Sequence, residues 1–506
     1  MSIELLKAAA ESNQWAAVLP EIMLACGALF LLVMEIALPR SQHRFIPWAA
    51  VLTLGAVLVA VLSNYYTTPW LGQTTFNGLL RHGVSSQVAR VFFVVSSLLV
   101  CFLAGLVLPR TKLPRVEFYH IVLVVTAAMM LLVQSNHFVM FFVALETVTV
   151  GFYILVSYFR NNPLTLEAGL KYLIMGALSS AIMLFGIVLL YGAVGRVDGV
   201  DGLVQSGFEF DVVANYLSQN PENMIGLVGA GLVLAGVAFK IGAFPFQIWV
   251  PDVYQGAPTP VMAFLAVSSK AAGFAVLLTL VREVFVPLQA MLVPLLSAAA
   301  MGTLIFGNVA ALTQRNAKRL MGLSGVSHAG FLLIGVVASM TVDWAPEAVW
   351  FYLFTYLLAS MAVFGVMAHL AGEDDTVAEL DSYDGLAKSH PLLGAVLAIG
   401  VGSLAGIPPL AGFIGKLFIF MAAFEAQLYG VLAVAVGCVI ISIYYYFGWI
   451  KAAWFATWLP EGEVPESTQP VATVTRFRAV VLLLLAGATV LLGFFQQPLT
   501  QWLLLK

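Results

Sequence analysis

The sequence predicts an all-α polytopic membrane protein of fourteen transmembrane helices, arranged as two inverted five-helix repeats that each contain a broken helix. Three observations predict it. Apolar stretches of about 20 residues, long enough to cross a hydrocarbon core, recur along the whole chain. Of its 506 residues, 61% are hydrophobic and only 10% charged, a balance outside the range of soluble domains. Two stretches are long, are interrupted by proline and glycine, and carry one lysine each: Lys240 ahead of Pro245, and Lys416 after Pro408-Pro409.

The first stretch, 18–38, has no short basic leader or small-residue cleavage site before it, so it reads as a retained span and not as a signal peptide. Spans at 45–64, 88–108 and 117–134 follow. The fifth, 138–158, holds Glu146, and the sixth, 164–192, holds Lys171. The seventh, 224–250, is broken at Pro245 and holds Lys240; the eighth, 260–281, holds Lys270. Spans at 286–311, 319–340 (with His328) and 346–370 precede the second broken stretch, 391–424, which holds Lys416. The last two lie at 428–452 and 478–497. The broken spans stand an odd number of places apart, so they run in opposite directions, and paired interrupted helices in corresponding positions point to an inverted-repeat transporter with its site near the midplane. The chain divides accordingly into 1–114, a first repeat over 115–284, a second over 285–459, and a final helix within 460–506.

Joining alternate loops separates the basic residues. Arg40, Arg44, Arg110, Lys112, Arg115, Arg160, Arg315, Lys318, Arg319, Lys388, Lys451, Arg476 and Arg478 fall on one side, whereas the other holds Arg81, Arg90, Arg196 and Arg282. The positive-inside rule makes the first side cytoplasmic and puts both termini outside, in a cell inner (plasma) membrane.

An ionisable group inside the bilayer is costly without a partner or water, and it marks function by default. Glu146 lies about 15 Å of helix from Asn136, Lys270 about 15 Å from Pro260 and His328 about 13 Å from Arg319, roughly half of a ~30 Å core in each case. Glu146, Lys171, Lys240, Lys270, His328 and Lys416 occupy six separate spans, the distribution that a proton relay through a bundle requires. Lysine suits that work because burial makes its proton easier to release, whereas arginine holds on to its proton. Two of the six also admit a structural reading. Glu167 precedes Lys171 by four residues, the favourable order for an intrahelical pair, and a lone histidine such as His328 is often a satisfied core residue. Glu35 and Lys451 sit near the interface, where they can snorkel, and carry no assigned chemistry.

Several function classes are excluded. The net charge of -3, with scattered basic residues, leaves no electrostatic footprint for nucleic acid. Cys26, Cys101 and Cys438 stand alone without CxxC spacing, so no disulfide, metal site or iron–sulfur cluster is expected. No P-loop or strand-linked GxGxxG is present, so the chain itself should bind neither nicotinamide nor nucleotide. The acidic run from Asp374-Asp375 to Asp384 lacks metal-ligand spacing and reads as a solvated face or a partner contact.

The stretch Phe239-Lys-Ile-Gly-Ala-Phe-Pro-Phe-Gln-Ile-Trp-Val-Pro-Asp-Val-Tyr-Gln-Gly-Ala-Pro-Thr-Pro-Val-Met-Ala-Phe-Leu265, followed by Ser268-Ser-Lys-Ala-Ala-Gly-Phe274, resembles the antiporter-like membrane subunits of respiratory complex I. Ala144-Leu-Glu146, Asn316-Ala-Lys-Arg-Leu320, Ser327-His-Ala-Gly330 and Gly406-Ile-Pro-Pro-Leu-Ala-Gly-Phe-Ile-Gly-Lys416 support the resemblance, which runs over spans four to thirteen. It implies a proton half-channel in each repeat. The glutamate matching Glu146 modulates the lysine matching Lys240, the lysine matching Lys270 connects the half-channels, and the one matching Lys416 faces the exit. Lysine at 416, where M-type subunits usually carry glutamate, and the lack of the long lateral helix of L-type subunits favour the N-type branch. The implied role is proton translocation driven by NADH-to-quinone electron transfer elsewhere. This chain would hold no cofactor, and flavin and iron–sulfur clusters would sit in partner subunits. The implied partners are other membrane subunits and lipid, with quinone and NADH reached only through the complex. A sodium/proton antiporter subunit and a passive membrane scaffold are the alternatives.

Overall fold

The computed structural model describes residues 10–67, 71–110, 115–198, 204–372, 375, 378–455 and 474–504. The two termini, Lys112 and Asp374, on which expectations were placed, lie outside them.

The molecule is a helical bundle. Twelve helices among the described residues are long and apolar enough to cross a membrane by length and composition. In chain order the helices are α1 (Leu19–Ala37), α2 (Ile46–Thr67), α3 (Val84–Val107), α4 (Val116–Leu132), α5 (Phe138–Val156), α6 (Pro163–Val194) and the short α7 (Phe210–Gln219). Next come α8 (Met224–Ile241), α9 (Val250–Gly256), α10 (Thr259–Val284), α11 (Gln289–Ala311), α12 (Ala317–Ala338) and α13 (Ala345–Leu370). The series closes with α14 (Pro391–Ala405), α15 (Ala411–Glu425), α16 (Tyr429–Phe455), α17 (Arg476–Phe494) and α18 (Gln497–Leu503). The expected spans at 117–134 and 391–424 are met by shorter helices, α4 of 17 residues and the pair α14 and α15 of 15 each.

Polar residues placed at helix starts set these boundaries. Asn162, Asn223 and Asn316 each turn a side-chain oxygen onto the free N–H groups of the first turn, and Pro163 follows Asn162 at the position where a missing N–H costs nothing. Two antiparallel hairpins, β1–β2 (Thr74–Thr75, Leu80–Arg81) and β3–β4 (Arg196–Asp198, Val204–Ser206), lie at one end of the bundle. Single bridges from Leu80 to Ser135 and from His137 to Glu209 knit those loops together.

Burial runs from the centre outward. Of the apolar windows, those of α10 and α12 are 100% buried and that of α13 89%, against 28% for the α2 span and 22% for α17. The helices carrying Lys270 and His328 are therefore the innermost. Small residues allow the close approach expected of helices in lipid: a Cβ on Gly186 of α6 would stand 2.7 Å from the Gly229 carbonyl of α8, and one on Gly307 of α11 would stand 2.6 Å from the Ser327 nitrogen of α12.

Both broken helices are interrupted by a glycine in the left-handed region. α8 ends at Gly242 (φ +70) and α14 at Gly406 (φ +85). An interruption inside lipid strands backbone groups that need partners. At the first break the Trp249 indole donates to the Phe239 carbonyl at 3.2 Å, and the Phe244 N–H donates to Thr303 Oγ1 at 2.9 Å. At the second, Lys416 itself donates to the carbonyls of Leu404 and Ala405, at 3.0 and 2.8 Å. α10 widens into π-turns at Leu265–Ser269 and Leu280–Val284, the first directly before Lys270.

Two expectations need correction. Arg90 is not a loop residue: it lies in the second turn of α3, 1% exposed, where its guanidinium pairs with Glu21 of α1 at 2.6 Å. Asp375 is not on a solvated face: it is 4% exposed and accepts from the Thr259 hydroxyl at 2.7 Å, from the Thr259 N–H, and from Lys318 at 3.3 Å. In both cases a charge that looks loop-borne in sequence is drawn inside by a partner from a distant element.

Candidate functional site

Glu146 and Thr149 stand one turn apart on α5 and so share a face. Ser180 of α6 and Lys240 of α8 complete the group. The Lys240 ammonium donates to Thr149 Oγ1 at 2.7 Å and to Ser180 Oγ at 3.4 Å, while the Ser180 hydroxyl donates to Glu146 Oε1 at 2.6 Å. Lysine and glutamate themselves are 3.8 Å apart, at the outer limit of an ion pair. The Ser180 hydroxyl thus bridges the two charges, an arrangement that lets the carboxylate influence the ammonium without neutralising it in a tight contact. Lys240 is 8% exposed, whereas Glu146 opens into a side groove of about 540 Å³ that also takes in His120, Phe142 and Val150.

Three further members, Lys270, His328 and Lys416, meet on one stripe of α12. Gly325, His328 and Phe331 are spaced by three, so they follow one another along a single helix face. Lys270 of α10 donates to the Gly325 carbonyl; a Cβ at that glycine would come within 2.8 Å of its Nζ. Lys416 of α15 lies over the Phe331 ring, 5.0 Å from the centroid. His328, between them, is held by two tyrosines, with Nδ1 2.6 Å from the Tyr352 hydroxyl and Nε2 3.1 Å from that of Tyr446. The Tyr356 ring faces both neighbours, 4.8 Å from the imidazole and 5.4 Å from Lys270 Nζ. Tyr446 in turn bonds the Ser324 hydroxyl. Every ring nitrogen of His328 therefore has a hydroxyl that can either give or take a proton.

The six expected residues fall into three groups. Glu146 and Lys240 meet in one, and Lys270, His328 and Lys416 share the α12 stripe. The direct bonds of Lys240 run to Thr149 and Ser180 and not to Lys270. Lys171 stands apart and half exposed, bonded to Glu167 at 2.7 Å and to Asp252 of α9 at 2.8 Å. Asp252 also accepts from Arg319 of α12 at 3.0 Å, and Arg319 reaches Gln255 at 2.9 Å. Beside this network Lys318 donates to the carbonyls of Ala257 and Asp375, at 3.1 and 2.9 Å. Pairing, first with Lys171, holds the Asp252 carboxyl below the usual carboxylate range.

Sequence reading missed Thr149, Ser180, Tyr352, Tyr356, Tyr446, Asp252 and Arg319 as members of these groups. It also missed a buried polar knot at the other end of the bundle. There Glu21 accepts from Arg90 at 2.6 Å and from Gln134 at 2.7 Å. Next to it His82, bonded to Thr75 at 2.9 Å, is pushed down to about 4 by burial and by the positive charge of Arg90. Among the described residues no cluster of three or more His, Cys, Asp or Glu is placed to hold a metal ion.

Known proteins resemble this chain along most of its length. The protein-family model described as NADH:quinone oxidoreductase/Mrp antiporter, transmembrane, matches residues 135–442. NADH-quinone oxidoreductase subunit N 1 of Opitutus terrae is 58% identical over 507 residues, covering 100% of both chains. Subunit N of Paramagnetospirillum magneticum is 34% identical, covering 95% of this chain and 94% of its own. Among solved structures, a chain of Thermus thermophilus respiratory complex I with bound aureothin superposes with a TM-score of 0.76 at 30% identity, over 95% of this chain and 98% of that one. A chain of the Mrp complex from a Dietzia species reaches 0.77 at 20% identity, over 96% of each, a likeness of fold alone.

Proposed function

The chain belongs to the subunit N family of NADH-quinone oxidoreductases, and from that membership together with the buried groups we propose how its residues move protons. It is a multi-pass membrane subunit of a proton-translocating complex, and the other subunits of that complex are its partners. The oxidation of NADH and reduction of quinone belong to other chains, which would hold the flavin and iron–sulfur clusters; this chain would carry no cofactor and meet both substrates only through the complex. In our reading it crosses a cell inner membrane fourteen times, α4 and the α14–α15 pair supplying the two shorter crossings, with both termini on the outer side. Residues 115–284 and 285–459 form the inverted repeats, preceded by three helices within 1–114 and followed by one within 460–506.

Protons enter from the cytoplasmic side to Lys240, pass to Lys270, and continue by His328 to Lys416, the outlet. Glu146 sets the proton affinity of Lys240 through the Ser180 hydroxyl. Lys171 belongs to the charge network at the cytoplasmic mouth. The observation carrying this reading is the α12 stripe, which places a histidine, with hydroxyls on both nitrogens, between two buried lysines. The step from Lys240 to Lys270 needs water, and the buried Tyr153 and Tyr356 hydroxyls, which have no hydrogen-bond partner among the described residues, are the kind of groups ordered water satisfies.

The test compares Lys240→Arg with Lys240→Ala. Both should assemble, and both should lose most proton pumping by the complex, because a guanidinium with a pKa above about 12 does not release its proton. A static pair with Glu146 predicts otherwise, since arginine preserves such pairs. Near-normal quenching of a pH-sensitive dye in vesicles carrying Lys240→Arg rules out proton cycling at this lysine.

A further inference from the structure

The start of α10 has no cap of its own. Pro258 and Pro260 lack an N–H, which leaves Thr259 to supply the one backbone donor of the three, and no neighbouring side chain accepts from it. The acceptor comes from 116 residues away. Asp375, between α13 and α14, takes the Thr259 N–H and, at 2.7 Å, the Thr259 hydroxyl, so that a buried carboxylate sits where the free end of a helix favours negative charge. Lys318, in the first turn of α12, closes the group: its ammonium lies 3.3 Å from the Asp375 carboxylate and donates to the carbonyls of Asp375 and of Ala257, just ahead of α10. Beyond Asp375 the same segment follows the start of α12. The Ala317 N–H donates to the Ala378 carbonyl at 2.6 Å, the Asn316 amide to Glu379 at 3.2 Å, and the Leu380 N–H to the Arg315 carbonyl at 2.8 Å. Asp375 itself sits at φ +53, a left-handed conformation that a residue with a Cβ keeps when its surroundings hold it there.

One segment is thus stitched across the starts of the two innermost helices. Lys270 stands eleven residues along α10 from Thr259, and His328 ten residues along α12 from Lys318, so the fastened ends lie about 16 and about 15 Å from these two groups. A helix carries an axial offset set at one end through to the other. The offset matters here because Lys270 donates to the carbonyl of Gly325, one turn before His328, and because the π-turn Leu265–Ser269 lies between the fastened end and Lys270. Tightening that turn into an ordinary α-turn would move Lys270 about 1.5 Å along α10 and about 100° around it, off the Gly325 carbonyl. We propose that Asp375 is a positioning residue for proton transfer: by tying the segment between α13 and α14 to the starts of α10 and α12, it holds the register that keeps Lys270 against Gly325 and beside His328. The proposal rests on Lys270 and His328 being successive stations of the relay.

The experiment uses the whole complex in vesicles and reads dye quenching per assembled complex, with assembly taken from native gels. Asp375→Ala is expected to assemble and to pump about tenfold more slowly, as when the working register loses the support of one charge-assisted hydrogen bond. Thr259→Val, which removes only the hydroxyl, should show a smaller loss, and Thr259→Ser, which restores it, should pump normally. Gly325→Ala displaces Lys270 from the same contact, so adding it to Asp375→Ala should cost little more than the worse single change, whereas a general loosening of the fold multiplies with it. Should Asp375→Ala fail to assemble, Thr259→Val combined with Gly325→Ala makes the same comparison. Normal pumping in both Asp375→Ala and Thr259→Val, a Thr259→Ser as slow as Thr259→Val, or losses that multiply with Gly325→Ala overturn the proposal. Lys270→Ala in the same assay separates it from the reading beneath it. Normal pumping there overturns the relay, and lost pumping there beside unaffected Asp375 and Thr259 variants overturns the positioning role alone.

Discussion

At the scale of single residues, the charged members of the candidate site stood out in the sequence because an ion in lipid is costly without a partner. The hydroxyls that connect them were not. A serine or threonine in a membrane helix satisfies itself on the carbonyl four residues back, as Thr149 does on Leu145 at 2.8 Å, so its presence carries no signal until a lysine from another helix arrives. Arg90 and Asp375 were misread for a related reason: their partners lie 69 and 116 residues away in sequence, and no local pattern records them. The glycine facing Lys270 gives a direct test of the relay. A methyl at Gly325 would stand 2.8 Å from Lys270 Nζ, and because that atom is the far end of a flexible chain, it can move away without disturbing the helices. Gly325→Ala should therefore leave the amount of assembled complex near normal, seen on native gels, while dye quenching shows pumping reduced severalfold. Gly406→Ala should behave worse on both counts. Its backbone sits at φ +85, a conformation costing a residue with Cβ about 1–2 kcal/mol, and Lys416 Cδ lies 3.0 Å from the added carbon.

At the scale of elements, the broken helices differ in a way the pattern of proline and glycine did not reveal. The first break is closed by an indole and a threonine, so Lys240 is free to bond to Thr149 and Ser180; the second uses the catalytic candidate Lys416 as its own cap. Composition alone makes the two segments look equivalent, because which side chain reaches a stranded carbonyl depends on packing. The short α9 between the first break and α10 is pinned by Asp252 to α6 on one side and α12 on the other. These are partly exposed pairs worth about 1 kcal/mol or less each, so assembly should survive their loss. Asp252→Ala and Arg319→Ala are expected each to slow pumping by a modest factor, and the double variant to fall short of the sum, since both remove the Asp252–Arg319 contact while each also loses its own partner, Lys171 or Gln255. Fully additive losses would mean the two residues act separately. Because pairing lowers the Asp252 carboxyl, its contribution is complete above the ordinary carboxylate pKa of about 4 and fades only below it. Asp252→Asn should then leave the shape of the pumping profile between about pH 5 and 9 unchanged.

At the scale of the whole molecule, the order of apolar stretches was readable from hydropathy, twelve of the fourteen expected spans returning among the described residues as helices long and apolar enough to cross a membrane, while their arrangement around α10 and α12 came only from the structure. The basic-residue bias predicts the orientation. With the native cysteines replaced, Asn220→Cys should react with an impermeant thiol reagent on intact cells, and Thr313→Cys only after the membrane is opened; the reverse pattern inverts the topology. The burial gradient has a consequence for how such a chain is made. The α12 and α13 spans, 100% and 89% buried, have a mean hydropathy of 1.8, whereas the α2 span, 28% buried, reaches 2.4. The helices at the heart of the bundle are thus among those with the weakest claim to partition into lipid by themselves during synthesis. Insertion of these central spans therefore gains more from helices already in the bilayer than insertion of the outer α2 span does.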